Sequence, residues 1–180
     1  MNRYIKQVVL LVLASAVFAL SACASKVHYK AAPPTTLAEI RNAYIHCLQN
    51  DDVQVIQLGE TMRFVLLSDE VFRPDSANVI AHYRPTLRTL ARLMRTYDKV
   101  NVKVAAYTDN VGSIDRQQAL TTRQAQVIAS FLWSRGIDAR LEYAEGYNRR
   151  NPVDDNNLGV GRQNNRRVEI SFRFYPEQTA

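Results

Sequence analysis

Between Val100 and Gly136 the chain changes period, and that change dictates a strand feeding a helix. Val100, Val102 and Val104 alternate with Asn101 and Lys103, which marks an extended segment running into Tyr107-Thr108-Asp109. Asn110-Val111-Gly112-Ser113 supplies turn chemistry and a helix start. Gln117, Leu120, Thr121, Gln124, Val127, Ile128 and Phe131 then recur at helical spacings along one face. Gly136 is the expected stop of a helix over about 114–135, with Ile137 placed for the hydrophobic contact of a Schellman cap. The helix seam is polar at its first end and apolar at the other. An acidic residue at a strand end beside a buried stripe of amides makes this a candidate ligand site.

The flanking sequence surrounds that unit with a single core. Thr36-Leu37-Ala38-Glu39 has capping-box spacing and opens a helix to about Asn50. Val53–Leu58 and Met62–Ser68 flank Gly59-Glu60 and read as a hairpin. After a loop carrying Phe72 and Pro74, a helix begins near Arg84 with Pro85 in its first turn, where a missing N–H costs nothing. Leu141–Ala144 reads as a short strand. Val168, Ile170, Phe172 and Phe174 alternate with Arg167, Glu169, Ser171 and Arg173 in the last one. The expected fold class is α+β, a β/α/β/α/β sandwich with helices on one face of a mixed sheet, preceded by a short N-terminal helix. Strand parity puts Arg166 on the face that the helices cover and Arg167 on the other, so Arg166 is the arginine expected at the ligand. Residues 147–164, rich in Asn, Asp, Gly and Arg, read as a surface loop.

The first 22 residues have a different character. Arg3 and Lys6 precede an apolar run, Val8–Leu20, that ends at Leu20-Ser21-Ala22-Cys23. This is a secretory signal, too short for a transmembrane helix. The expected organisation is a signal over 1–22, a tether over 23–35, a helix over 36–52, the main domain over 53–174 and a tail over 175–180. From Ala24 to Thr35 the tether has few large apolar residues and contains Ala31-Ala32-Pro33-Pro34. Fully extended, its roughly 12 residues span about 40 Å. Cys47 falls on the apolar side of the first helix with Leu37, Ile40 and Tyr44, and is read as a buried structural thiol.

The formal charge of +6 loses only Arg3 and Lys6 with the signal and stays modestly positive. Arg84, Arg88, Arg92 and Arg95 form a solvated helix face or a contact surface for acidic partners; nucleic acid is excluded as a partner of an exported chain. His28, His46 and His82 pair with no Cys or carboxylate at ligand spacing, Asp154-Asp155 lacks EF-hand spacing, and no Gly-rich phosphate loop is present. The chain therefore reads as a binding module rather than an enzyme, with no cofactor and no metal.

Tyr107-Thr108-Asp109, Gly112-Ser113, Leu120-Thr121, Ala125, Gly136-Ile137, Gly146-Tyr147, Pro152 and Asn165-Arg166-Arg167-Val168-Glu169-Ile170 occur in the order of a known pattern. Over about residues 53–174 the chain resembles the OmpA-like peptidoglycan-associated family. Leu20-Ser21-Ala22-Cys23 likewise resembles a bacterial lipobox, which implies an acylated Cys23; Ala24 after it implies sorting to the outer membrane, facing the periplasm. The alternative is an ordinary signal with an incidental cysteine. The family resemblance implies binding of peptidoglycan diaminopimelate, whose ammonium wants a carboxylate and whose carboxylate wants a fork of N–H donors. It points to Asp109, Gln117, Thr121, Gln124 and Arg166 as ligand residues, with Arg123 as a substitute cation. Three departures matter: Ala106 stands for the family's Gly, Gln117 for its Asn, and Gln124 for its ligand-binding Arg. Arg123 is one residue earlier, a turn of about 100° on a helix, so its charge points sideways. Short acylated chains of this kind also resemble accessory subunits of Dot/Icm type IVB secretion systems. The implied functions are thus docking among the protein subunits of an envelope-spanning secretion complex with weak peptidoglycan binding, or direct stapling of outer membrane to wall.

Overall fold

Residues 36–138 and 142–176 are described by a computed structural model of the chain. The signal and tether expected over 1–35, with Cys23 and His28, lie outside these residues, as do Leu141 and residues 177–180. Helix α1 (Leu37–Asn50) opens with the expected capping box: the Glu39 N–H donates to Thr36 Oγ1 at 3.2 Å, and the Thr36 N–H to Glu39 Oε2 at 3.1 Å. Its buried contact comes from Leu48, with Tyr44 and Ile45 packed against the core. Cys47 is half-buried and disulfide-bonded, which corrects its reading as a buried thiol.

Strands β1 (Gln54–Leu58) and β2 (Thr61–Leu67) form the expected hairpin across Gly59-Glu60. A single helical turn, α2 (Ser68–Val71), follows. Then come α3 (Arg84–Arg95), β3 (Lys99–Tyr107), α4 (Ile114–Trp133), β4 (Glu142–Asn148), α5 (Gly159–Asn165) and β5 (Arg167–Phe174). The sheet order is β1-β2-β5-β3-β4, antiparallel throughout except for the parallel pair of β3 and β4. The register sets Phe64 beside Ile170 and Ile170 beside Val104. With Met62, Leu66, Val102, Ala106, Val168 and Phe172 they form one apolar face, buried beneath Leu87, Leu90, Met94, Ile128 and Leu132 of α3 and α4. The α+β architecture with helices on one sheet face is the one expected.

Two segments differ from the expectation. Strand β4 runs on to Asn148 rather than ending at Ala144, because pairing with β3 from Val102 to Tyr107 extends it through Glu-Gly-Tyr, a stretch with little alternation of its own. The loop expected over 147–164 contains α5, which Gly and Asn make a poor helix by propensity. The fully buried Asn165 holds it: its side-chain oxygen accepts the N–H groups of Val153 and Asp154, and its amide donates to Asp154 O and Asn156 Oδ1. At the end of α4 the Schellman cap forms as expected, with the N–H of Ile137 donating to Leu132 O and that of Gly136 to Trp133 O, Gly136 at φ 89° and Ile137 buried.

Candidate functional site

A cavity of 660 Å³ opens where β3 ends, walled by the turn after β2, the first half of α4 and Arg166. The sheet itself creates it. Because β2 and β5 are antiparallel with Leu67 opposite Arg167, the residues after β2 lie beside those before β5, and the Ser68 N–H donates to Arg166 O at 2.8 Å. Beyond Tyr107, the Thr108 N–H is held by Asn148 O at 2.9 Å, which turns the chain so that Asp109 points back beneath α4.

Asp109 is 6% exposed. Its Oδ1 accepts the Val111 N–H at 2.9 Å, an Asx turn that starts the loop into α4, and its Oδ2 accepts Arg166 Nη1 at 2.6 Å. The outer edge of the same guanidinium grips Asp69: Nε lies 3.0 and 3.2 Å from the two carboxylate oxygens and Nη2 2.6 Å from Oδ2. Hydrogen bonds to Asp69 foremost, then to Asp109, outweigh burial and hold Arg166 above the ordinary arginine range.

Gln117 is buried in the cavity wall, and its amide donates to Val111 O and Asp109 O at 2.5 and 3.3 Å. Its Oε1 is buried without a hydrogen-bond partner. Gln124 also lines the cavity, but its amide donates to Ser76 O at 3.0 Å and ties α4 to the loop after α2. At the mouth, Arg116 pairs with Asp75 at 3.3 Å, both exposed.

Of the residues singled out from sequence, Asp109, Gln117, Gln124 and Arg166 meet around this one cavity. Thr121 is fully buried behind it, donating to Gln117 O at 2.9 Å and accepting the Asn148 N–H at 3.3 Å, and so locks α4 to β4. Arg123 is exposed and lies outside the cavity lining, on an adjoining depression that shares Asp75, Arg116 and Leu120 with it. Sequence reasoning missed Ser68, Asp69, Arg73, Asp75 and Arg116, which also line the cavity. Antiparallel pairing of the second and last strands was the signal that would have brought Asp69 to Arg166.

On the opposite sheet face Arg167 is 3% exposed, paired with Glu169 at 2.8 Å and lying 4.0 Å over the Tyr107 ring. Tyr107 stacks on Tyr147 at 5.2 Å, and Lys103 sits 4.5 Å over Tyr147. The two arginines face opposite ways, as strand parity requires. Among the described residues there is no cluster of His, Cys, Asp and Glu that could hold a metal ion.

The chain is 30% identical over 125 residues to the probable lipoprotein YiaD of Escherichia coli K12, a match covering 69% of this chain and 57% of that protein. It is 31% identical over 99 residues to the peptidoglycan-binding protein ArfA of Mycobacterium tuberculosis, covering 55% of this chain and 30% of that one. The matches thus span little more than half, or less, of these curated relatives. The solved structure of the cell wall anchor of the T6SS from Pseudomonas aeruginosa superposes with a TM-score of 0.67 at 28% identity, covering 78% of this chain and 98% of that one. The pattern of the OmpA family matches residues 71–166, a span that runs from the end of α2 to Arg166 and so takes in Asp109, Gln117 and Gln124: the chain belongs to the OmpA family.

Proposed function

We propose that the protein is an outer-membrane lipoprotein, anchored through acyl chains on Cys23, whose cavity holds the diaminopimelate end of a peptidoglycan stem from the periplasm. The observation that carries this reading is one cavity lined by charges of both signs, Asp69, Asp75 and Asp109 with Arg73, Arg116 and Arg166. Such a lining suits a ligand that is itself a zwitterion. The probable lipoprotein, the peptidoglycan-binding protein and the wall anchor among its relatives support it. The role is binding and anchoring rather than catalysis.

The test is co-sedimentation of the purified mature protein with isolated sacculi. The parent protein is expected in the pellet, and Asp109→Ala in the supernatant, because that change removes the buried counter-charge of the ammonium. Equal pelleting of the two would sink the site assignment. Acylation is checked by fatty-acid labelling, which Cys23→Ser should abolish. A thioether lipid consumes the Cys23 sulfur, so acylation excludes a disulfide between the two cysteines of one chain, and the mass of the mature protein decides between them.

One observation favours a second reading, docking among the subunits of an envelope-spanning secretion complex of the Dot/Icm type. Gln124 stands where the family's helix carries arginine, and its amide is spent on Ser76 O, so the cavity has one guanidinium fewer with which to hold the wall. In-cell cross-linking is expected to trap envelope partners; recovery of a monomer alone would count against it.

A further inference from the structure

The guanidinium of Arg166 already carries a carboxylate in the geometry a ligand would use. Its Nε and Nη2 edge is engaged in parallel by the two oxygens of Asp69, the fork-on-fork arrangement in which arginine recognises carboxylates. Its remaining nitrogen, Nη1, is held by Asp109. We propose that Asp69 is an internal stand-in for the ligand's carboxylate, which gains Arg166 only by displacing Asp69, so that Asp69 sets the affinity of the cavity. This rests on the zwitterion reading of the cavity given above.

Exposure decides which partner yields. The Asp109 side chain is 8% exposed and also accepts the Val111 N–H, whereas that of Asp69 is 42% exposed. Detaching Arg166 from Asp109 would strand a buried charge. Detaching it from Asp69 releases a carboxylate into water from a single turn of helix. The exchange is therefore carboxylate for carboxylate at the outer edge, with Arg166 and Asp109 staying joined as the floor. The ligand's ammonium then meets Asp109, the carboxylate that stays on the inner edge of the same guanidinium. Asp69 also accounts for the larger part of the shift that raises Arg166, in keeping with its hold on the guanidinium.

The test compares the full-length protein, extracted in mild detergent, with Asp69→Asn, Arg166→Gln and the double variant. Asparagine keeps the shape of the side chain and removes the competing charge. The probe is a soluble diaminopimelate-containing muropeptide, titrated at low and moderate salt. Asp69→Asn is expected to bind roughly 2- to 5-fold more tightly, the range set by a partly exposed ion pair, and the gain should vanish in the Arg166→Gln background. A second readout needs no muropeptide. Phenylglyoxal should modify Arg166 faster in Asp69→Asn than in the parent, and glutarate, a plain dicarboxylate, should slow it. Muropeptide binding by the parent that is unchanged or weakened in Asp69→Asn overturns the proposal and leaves the peptidoglycan reading standing. If muropeptide binds to neither protein, the peptidoglycan reading fails; faster labelling that glutarate slows then supports the stand-in, and unchanged labelling overturns it.

Discussion

Asp109 and Arg166 are 57 residues apart in the chain and line one cavity, yet each was singled out by a local rule. Asp109 stands where an alternating strand runs into a turn, and Arg166 has the parity of Val168 and Ile170. Register likewise separated Gln124 from Arg123, since one helical step of about 100° puts the first in the cavity wall and the second in solvent. What no local rule supplied was the state of the carboxylate. Asp109 was read as a group waiting for an ammonium, and the structure joins it to Arg166. The register argument gives a prediction. Gln124→Arg should tighten muropeptide binding by roughly 5- to 30-fold, because a charge-assisted bond replaces a neutral one, and Arg123→Ala should leave binding unchanged. Titration of the purified variants checks both. Loss of binding in Arg123→Ala with no gain in Gln124→Arg would assign the family role to Arg123.

At the scale of elements, the cavity depends on how closely α4 lies on β4. A Cβ built on Gly146 would stand 2.3 Å from Thr122 N and 2.6 Å from Thr121 Oγ1, so only glycine lets the helix backbone meet the strand. Gly146→Ala is expected to destabilise the fold by about 1–3 kcal/mol through overpacking and to weaken the site, because Thr121 and Gln117 shift together. Gly159→Ala is the control: a Cβ there meets only the far end of Arg162 at 3.9 Å, and the change should stay within about 0.5 kcal/mol. Urea midpoints at constant m distinguish the two. The capping box of α1 and the Schellman cap of α4 were legible because each is written in four to six neighbouring residues. Helix α5 was not, because the bonds that hold it come from one buried asparagine reaching back across the loop.

For the whole molecule, alkaline pH is a probe of the packed state. Burial foremost, then Asp51 and Glu70, push the Tyr83 phenol well above its ordinary range. Burial and Glu169 push Tyr107 up more than Lys103 and Arg167 pull it down. For a group whose pKa is raised by folding, the stabilisation is complete below the unfolded value and is lost as pH climbs through the folded one. Stability should therefore be flat below about pH 10 and fall above it, by at most about 1.4 kcal/mol per pH unit for each tyrosine. Thermal melts from pH 8 to 11, with tyrosinate absorbance followed in parallel, check this. Tyr107→Phe should flatten part of the fall, and ionisation of both phenols at their ordinary pKa without loss of stability would contradict it.

The sequence alone determined whatever depends on period and nearest neighbours: an α+β domain, the strand-to-helix unit around Asp109, the hairpin at Gly59-Glu60, the opposite facing of Arg166 and Arg167, and the absence of charge from Gln124. These follow because a side chain's direction is set by backbone repeat within a few residues. Only the tertiary structure decided who meets whom. Strand order brought the turn after β2 to the start of β5, and with it placed Asp69 on Arg166, fastened Gln124 to Ser76, and turned Thr121 from the ligand seam into the joint between α4 and β4. Those pairings join residues up to 97 positions apart, and the free energy that selects them is the burial of one sheet face common to β2, β3 and β5, a quantity that belongs to the assembled sheet and to none of its strands.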